Sequence, residues 1–215
     1  MLFGTDKTRM ITADEALPGR DAGFEIADRH VVLGTSLTEP WPEGHEVLYV
    51  GMGCFWGAER IYWQTEGVYS TAVGYMGGWT KHPTYQETCT ARTGHAETVQ
   101  VVYDPTKVTL ETLFARFWEN HDPTTLNRQG GDIGTQYRSA IFTTTPEQQV
   151  AAEASREKYQ AALVDKGFGK ITTQIVPAEE AGDGVFYYAE DYHQGYLHKN
   201  PGGYCNHGFC QAAYA

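Results

Sequence analysis

Hydrophobic positions recur at strand-like and helix-like spacings from residue 46 onward. Val47 to Met52 is a short apolar run that predicts a strand, and the helical pattern after it runs from Cys54 to Gln64. A later segment has the i, i+3, i+4, i+7, i+8 spacing of an amphipathic helix at Leu110, Leu113, Phe114, Phe117 and Trp118. Further strands are predicted at 68–75, 99–103, 137–143 and 172–176, and a further helix with a capping pattern at 146–166.

The order of these elements is β-α-β-β-α-β, followed by one more helix and strand. It predicts an α+β fold, a two-layer α/β sandwich with a ferredoxin-like β-α-β-β-α-β core whose sheet is covered by helices. Residues 1–46 are rich in proline, glycine and charge and predict a loop-rich N-terminal arm packed on the core at 47–180. Residues 181–215 lose the regular pattern and predict a coil C-terminal tail within the same single domain.

Composition and charge narrow the function classes. Hydrophobic residues make up 41% of the 215 positions, which is enough for a sizeable core. The net charge of −11 argues against binding to nucleic acid or to an anionic membrane surface. No run approaches the ~20 apolar residues of a membrane-spanning helix, and the first residues lack the apolar segment of a signal peptide. We therefore expect a cytoplasmic protein, and a monomer.

The pentapeptide Gly53-Cys54-Phe55-Trp56-Gly57 is the strongest candidate for chemistry. A thiol at a helix start lies among unpaired backbone N–H groups at the positive end of the helix dipole, and both effects favour the thiolate. Phe55 and Trp56 can form an apolar slot beside the sulfur. The alternative is an inert buried cysteine. The flanking glycines favour the reactive thiol, because they permit close approach of the backbone at a strand-to-helix turn.

Two further cysteines, Cys205 and Cys210, lie in a glycine-rich terminal segment that favours a redox role. Together with His193 and His198 they also fit zinc-ligand spacing. Histidines five residues apart on one helix project about 140° away from each other, which counts against zinc. A papain-like protease is another alternative, because His193 lies at the interval from Cys54 typical of that class, but the C-G-[SA]-C pattern is absent.

Glu97 is a carboxyl group at the start of an apolar strand. In a pocket beside a thiolate its pKa would be raised by desolvation and by like charge, so it could donate a proton near neutrality. Cys89 has no comparable context, and we predict a structural role for it.

Several segments besides the pentapeptide are typical of one protein family. Taken in order, the chain resembles the A class of the peptide methionine sulfoxide reductases over nearly its whole length. These segments are Ala16-Leu17-Pro18-Gly19-Arg20, Pro83-Thr84-Tyr85, Thr93-Gly94-His95-Ala96-Glu97, Tyr103-Asp104-Pro105, Phe117-Trp118-Glu119-Asn120-His121-Asp122-Pro123, Gly134-Thr135-Gln136-Tyr137-Arg138-Ser139 and Tyr196-Leu197-His198-Lys199-Asn200-Pro201.

The resemblance implies a reaction at sulfur. It implies that Cys54 attacks the sulfoxide sulfur of methionine S-sulfoxide, free or peptide-bound, including oxidised proteins. It implies that Glu97 protonates the sulfoxide oxygen, assisted by Tyr85 and Tyr137, and that Cys54 becomes a sulfenic acid.

The resemblance also implies a substrate pocket and a way to regenerate the thiol. Phe55 and Trp56 would hold the terminal methyl group of the substrate, and Asp132 would line the same pocket. Cys205 would resolve the sulfenic acid as a disulfide that thioredoxin reduces, with dithiothreitol as a substitute in vitro. We expect Cys210 to pass the disulfide on, although it lies only five positions after Cys205. No metal and no organic cofactor is expected.

Overall fold

A six-stranded sheet forms the centre of the structure, a computed structural model that describes residues 6–207 and 211–214. The strands within these residues are β1 (Glu46–Met52), β2 (Val68–Met76), β3 (Ala96–Tyr103), β4 (Arg128–Gln129), β5 (Asp132–Ile133), β6 (Ser139–Thr143), β7 (Gln174–Pro177) and β8 (Tyr187–Tyr188). The α-helices are α1 (Phe55–Trp63), α2 (Tyr85–Thr88), α3 (Leu110–Glu119), α4 (Pro146–Asp165) and α5 (Tyr196–Lys199).

The topology of the sheet confirms the predicted fold. The strand order is β7-β6-β1-β3-β2-β8, and its middle part, β6-β1-β3-β2, is antiparallel throughout. Helices α1 and α3 form the crossovers, which gives the ferredoxin-like β-α-β-β-α-β core. Strand β7 extends one edge in parallel with β6, and β8 extends the other edge antiparallel to β2.

Local sequence explains where the two longer helices of the second half begin. The side chain of Thr109 accepts a hydrogen bond from the backbone N–H of Thr112 and so caps α3. Thr145 caps α4 in the same way, and Pro146 occupies the first turn, where its missing N–H is not needed. The predicted apolar face of α3 is fully buried against the core at Leu113, Phe114, Phe117 and Trp118.

Some elements differ from the prediction in ways that matter for the site. Strand β3 begins at Ala96, so Glu97 lies inside a strand. Tyr137 belongs to a 3₁₀ turn, Thr135–Tyr137, rather than to a strand. Helix α5 and strand β8 lie in the segment predicted as coil. They have only four and two residues, and β8 is stabilised by pairing with β2, which no local pattern reveals.

The division into an arm, a core and a tail stays a prediction. The arm segment does contact the body of the protein, since Gly19 forms a β-bridge with Lys81. No helix in the described part of the chain is both long and apolar enough to cross a membrane.

Candidate active site

Eight side chains line a small pocket of about 130 Å³ at the start of α1. Seven of them are residues that the sequence singles out, and Tyr204 is the addition. The pocket contains Cys54, Phe55, Trp56, Tyr85, Glu97, Asp132, Tyr137 and Tyr204. The structure therefore brings the predicted residues together, while their individual roles stay predictions.

The turn between β1 and α1 places the thiol. Gly53 has a φ of +86°, and a Cβ there would lie 2.6 Å from the side chain of Gln129, so the turn requires glycine. Cys54 follows as the N-cap residue of α1 and is only 6% exposed. Phe55 and Trp56 form the first turn of the helix, which puts both aromatic side chains beside the sulfur.

The charge state of Cys54 differs from the sequence-based expectation. Burial raises the pKa of the thiol well above its ordinary range, and the nearby carboxyl of Glu97 raises it further. Hydrogen bonds from the backbone N–H groups of Trp56 and Gly57 lower the pKa, but they do not offset desolvation. The backbone contacts at the helix start thus favour the thiolate as expected, but burial outweighs them and favours the thiol form of Cys54.

Glu97 is one of two carboxyl groups that line the pocket, the other being Asp132. The side chain of Glu97 is 2% exposed, and Oε2 accepts a hydrogen bond of 2.9 Å from the backbone N–H of Phe55. Burial raises the pKa of Glu97 from 4.5 to about 8, and Asp132 also raises it. The predicted upward shift is thus confirmed, and it favours the protonated form near neutral pH.

Two tyrosines reach the pocket from separate elements. Tyr85 is the first residue of α2, which is capped by the side chain of Thr84, and Tyr137 ends a 3₁₀ turn. Burial raises the pKa of both hydroxyls, and the neighbouring Glu97 raises them further. Both groups therefore keep their protons and can donate hydrogen bonds.

Helix α2 is itself held by the N-terminal arm. Nη2 of Arg20 lies 2.9 Å from both carboxylate oxygens of Glu87, and Nη1 donates to the carbonyl of His82. The same Glu87 completes the capping box with Thr84, immediately before Tyr85.

His193 and Tyr196 hold the Trp56 side chain, and sequence reasoning missed both contacts. The indole Nε1 of Trp56 donates a 3.0 Å hydrogen bond to Nδ1 of His193. The ring of Tyr196 stacks on the indole with 3.8 Å between centroids. Burial lowers the pKa of His193 to about 4, so the ring is neutral. The sequence spacing of His193 instead suggested a zinc ligand or a protease base. Its contact with Trp56 has no local sequence signal, because the two residues are 137 positions apart.

The tail passes over the pocket. The hydroxyl of Tyr204 lies 3.2 Å from both carboxylate oxygens of Asp132, and Asn206 Nδ2 donates to the same carboxylate at 2.9 Å. Cys205, between them, lies against α1, where a Cβ on Gly57 would be 2.8 Å from its sulfur. Cys54, Cys89 and Cys205 are free thiols, and Cys210 lies outside the described residues.

A larger cleft, about 510 Å³, lies at the β6–β7 side of the sheet, beside Tyr49 and Glu179. The described residues that line it include neither cysteine nor histidine. The small pocket at Cys54 is therefore the better candidate, because it combines a nucleophile with an acid.

Comparison with known proteins agrees with this geometry. The family model described as peptide methionine sulfoxide reductase matches residues 46–213. The chain belongs to this family.

Relatives of known name and structure extend the match over nearly the whole chain. The peptide methionine sulfoxide reductase MsrA of Salinispora arenicola is 58% identical over 204 residues, which cover 94% of this chain and 90% of the relative. The solved methionine sulfoxide reductase A of Corynebacterium diphtheriae is 47% identical, with a TM-score of 0.83, and the match covers 92% of this chain and 94% of that one. Mxr1 from Saccharomyces cerevisiae, solved in complex with Trx2, has the same fold, with 24% identity, a TM-score of 0.53, and coverage of 83% and 99%.

The zinc site suggested by the spacing of histidines and cysteines has no support from the described residues of this family member. Within 6–207 and 211–214, no group of three or more His, Cys, Asp and Glu side chains is arranged to hold a metal ion. His193 Nδ1, one of the four suggested ligands, is occupied by the indole of Trp56.

Proposed function

We propose that this chain reduces methionine S-sulfoxide, free or within peptides and oxidised proteins, to methionine. The observation that carries the proposal is that a buried thiol, Cys54, and a buried carboxyl group, Glu97, line one pocket. Burial raises the pKa of Glu97 to about 8, which favours its protonated form at neutral pH. A sulfoxide oxygen is a poor leaving group until it is protonated, so the nucleophile and the acid must face one pocket. Phe55 and Trp56 add apolar surface that suits a terminal methyl group.

The first step transfers one oxygen atom. Sγ of Cys54 attacks the sulfoxide sulfur and forms an S–S bond while Glu97 gives its proton to the oxygen, and the hydroxyls of Tyr85 and Tyr137 donate hydrogen bonds to that oxygen. The hydroxyl then passes from the substrate sulfur to Sγ, which breaks the S–O bond of the substrate and the S–S bond. Methionine leaves reduced by two electrons, and Cys54 becomes a sulfenic acid, oxidised by two electrons. The thiol proton of Cys54 replaces the one that Glu97 gave up, so no proton is consumed overall.

The second step forms a disulfide. The sulfur of Cys205 attacks the sulfenyl sulfur of Cys54, the S–O bond breaks, and the hydroxyl leaves as water with the proton of the Cys205 thiol. Placement of Cys205 against Gly57, one helical turn from Cys54, supports this role. We propose that Cys210 then takes over the disulfide from Cys205.

Thioredoxin is the proposed reductant of that disulfide, and dithiothreitol can replace it in vitro. The support is that the yeast protein of this fold has been solved in complex with Trx2. We further propose a cytoplasmic monomer that needs no metal or organic cofactor and binds neither nucleic acid nor membranes. The net charge of −11 supports the last two points.

The decisive experiment replaces Cys54 by serine and measures methionine formed from methionine S-sulfoxide with dithiothreitol as reductant. We expect no turnover with Cys54→Ser, whereas Cys89→Ser should keep most of its turnover, because serine can still hydrogen-bond to the hydroxyl of Tyr85. Substantial residual activity in Cys54→Ser would reject the mechanism.

A second variant separates the two steps. Cys205→Ser should release one methionine per protein molecule but should fail to turn over with thioredoxin, because the sulfenic acid has no partner thiol.

The alternative function, a binding module stabilised by zinc at His193, His198, Cys205 and Cys210, predicts stoichiometric zinc and no loss of thiols on exposure to the sulfoxide. The reductase predicts two thiols lost per sulfoxide reduced.

A further inference from the structure

Arg60 on α1 contacts the thiol that the proposed mechanism uses in its second step. Nη2 of Arg60 lies 3.2 Å from Sγ of Cys205, within hydrogen-bond distance for a sulfur acceptor. Both side chains are half-buried, so the contact is only partly screened by water. Arg60 follows Gly57 by three residues, and side chains three apart share one face of a helix.

The tail is also held next to this contact, by the end of strand β1. Nε2 of His207 donates a 2.7 Å hydrogen bond to the carbonyl of Met52, which fixes the tautomer because a carbonyl only accepts. Burial lowers the pKa of His207 to about 4, and Arg60 also lowers it. His207 is therefore neutral, and Arg60 is the cation that contacts Cys205.

We infer that Arg60 is a positioning residue for Cys205, which holds its sulfur over the first turn of α1 for attack on the oxidised Cys54. This inference rests on the proposed function. A guanidinium only donates hydrogen bonds, so it acts by hydrogen bonding and charge and not as an acceptor of the thiol proton. The step forms the Cys54–Cys205 bond, breaks the S–O bond and releases the hydroxyl, together with the proton of the Cys205 thiol, as water.

The two thiols consequently have opposite surroundings. Cys54 lies beside the carboxyl of Glu97, which raises the pKa of the thiol, whereas Cys205 lies beside the guanidinium of Arg60.

The test is a single-turnover experiment in which methionine release and disulfide formation are measured separately by rapid quenching and mass spectrometry. Arg60→Gln should release methionine at the parental rate but form the Cys54–Cys205 disulfide about tenfold more slowly, the loss expected for one hydrogen bond to a charged group. Arg60→Lys should recover much of the rate. The control Arg116→Gln, at an exposed position on α3, should change neither step.

Equal disulfide rates in the parent and in Arg60→Gln would overturn the inference. Failure of the parent to release methionine, or to join Cys54 to Cys205, would instead overturn the proposed function.

A second measurement follows the position of the tail itself. In a protein whose only cysteine is Cys205, Arg60→Gln should speed alkylation by iodoacetamide, because a tail released from α1 exposes the thiol, and Arg116→Gln should react like the parent. Unchanged or slower alkylation in Arg60→Gln would refute the positioning role.

Discussion

Gly57 offers the sharpest test of how the tail meets the catalytic helix. In the first turns of α1 an added Cβ would lie 2.8 Å from Sγ of Cys205 and closer still to Nδ1 of His207, whereas ordinary contacts of a Cβ are 3.4–4 Å. The substitution Gly57→Ala therefore requires the tail to move by roughly 1 Å. It leaves the backbone N–H of residue 57 in place, so the hydrogen bond to Cys54 is kept.

The magnitudes predict a folded protein with a displaced tail. Alanine is about 1 kcal/mol better than glycine inside a helix, so α1 gains stability. The tail loses the hydrogen bond from His207 to Met52, worth about 0.5–1.5 kcal/mol, and the contact between Arg60 and Cys205. The gain in α1 offsets only part of these losses in the free energy of unfolding, and the position of Cys205 does not recover.

The assay is again a single turnover with methionine S-sulfoxide. In Gly57→Ala we expect methionine release within about threefold of the parent and disulfide formation slowed at least about tenfold, since a 1 Å misplacement of a reacting group is costly. Gly202→Ala is the matched control, because a Cβ at this tail glycine meets nothing within 4 Å. Parental disulfide rates in Gly57→Ala would refute the view that packing on α1 positions Cys205.

Three further outcomes follow from the site. Because the pKa of Glu97 is raised to about 8, the rate of methionine release in a single turnover should be constant near neutral pH and should fall as the pH rises through 8. A rate that keeps rising above pH 8 would exclude Glu97 as the acid. Glu97→Gln should keep much of the activity and lose this fall, whereas Glu97→Ala should lose most activity, because only the amide still donates a hydrogen bond. Arg20→Gln should slow methionine release a few-fold, whereas Arg9→Gln, which removes another salt bridge of the arm, should not. If Arg20 acts through Tyr85, the effect of Arg20→Gln should vanish in a Tyr85→Phe background.

The fold could be predicted from the sequence to the extent that its elements bury a continuous apolar face. Helix α3 shows this, since its five apolar positions follow one face of the helix and its cap is a local contact from Thr109. Strand β8 could not be predicted, because two residues are too few for a pattern and their partner, β2, lies more than a hundred residues earlier.

The residues of the site also fall into those that the sequence could predict and those that it could not. The pocket residues were recognisable because they lie in motifs that a family resemblance carries. Contacts made across the fold have no such signal, as with Trp56 and His193, or Arg60 and Cys205, which lie 137 and 145 residues apart. Tyr204 was missed for this reason, since only the path of the tail brings it to Asp132.

The charge state of Cys54 depends on a balance that the sequence does not show. Two backbone N–H groups lower the pKa of the thiol, as a helix start predicts, but removal from water and the adjacent Glu97 raise it more. Burial also raises the pKa of Glu97, to about 8, so the proposed nucleophile and the proposed acid both favour their protonated forms at neutral pH. In the proposed reaction the thiol proton of Cys54 can therefore replace the one that Glu97 gives to the sulfoxide oxygen, and no proton has to come from solvent.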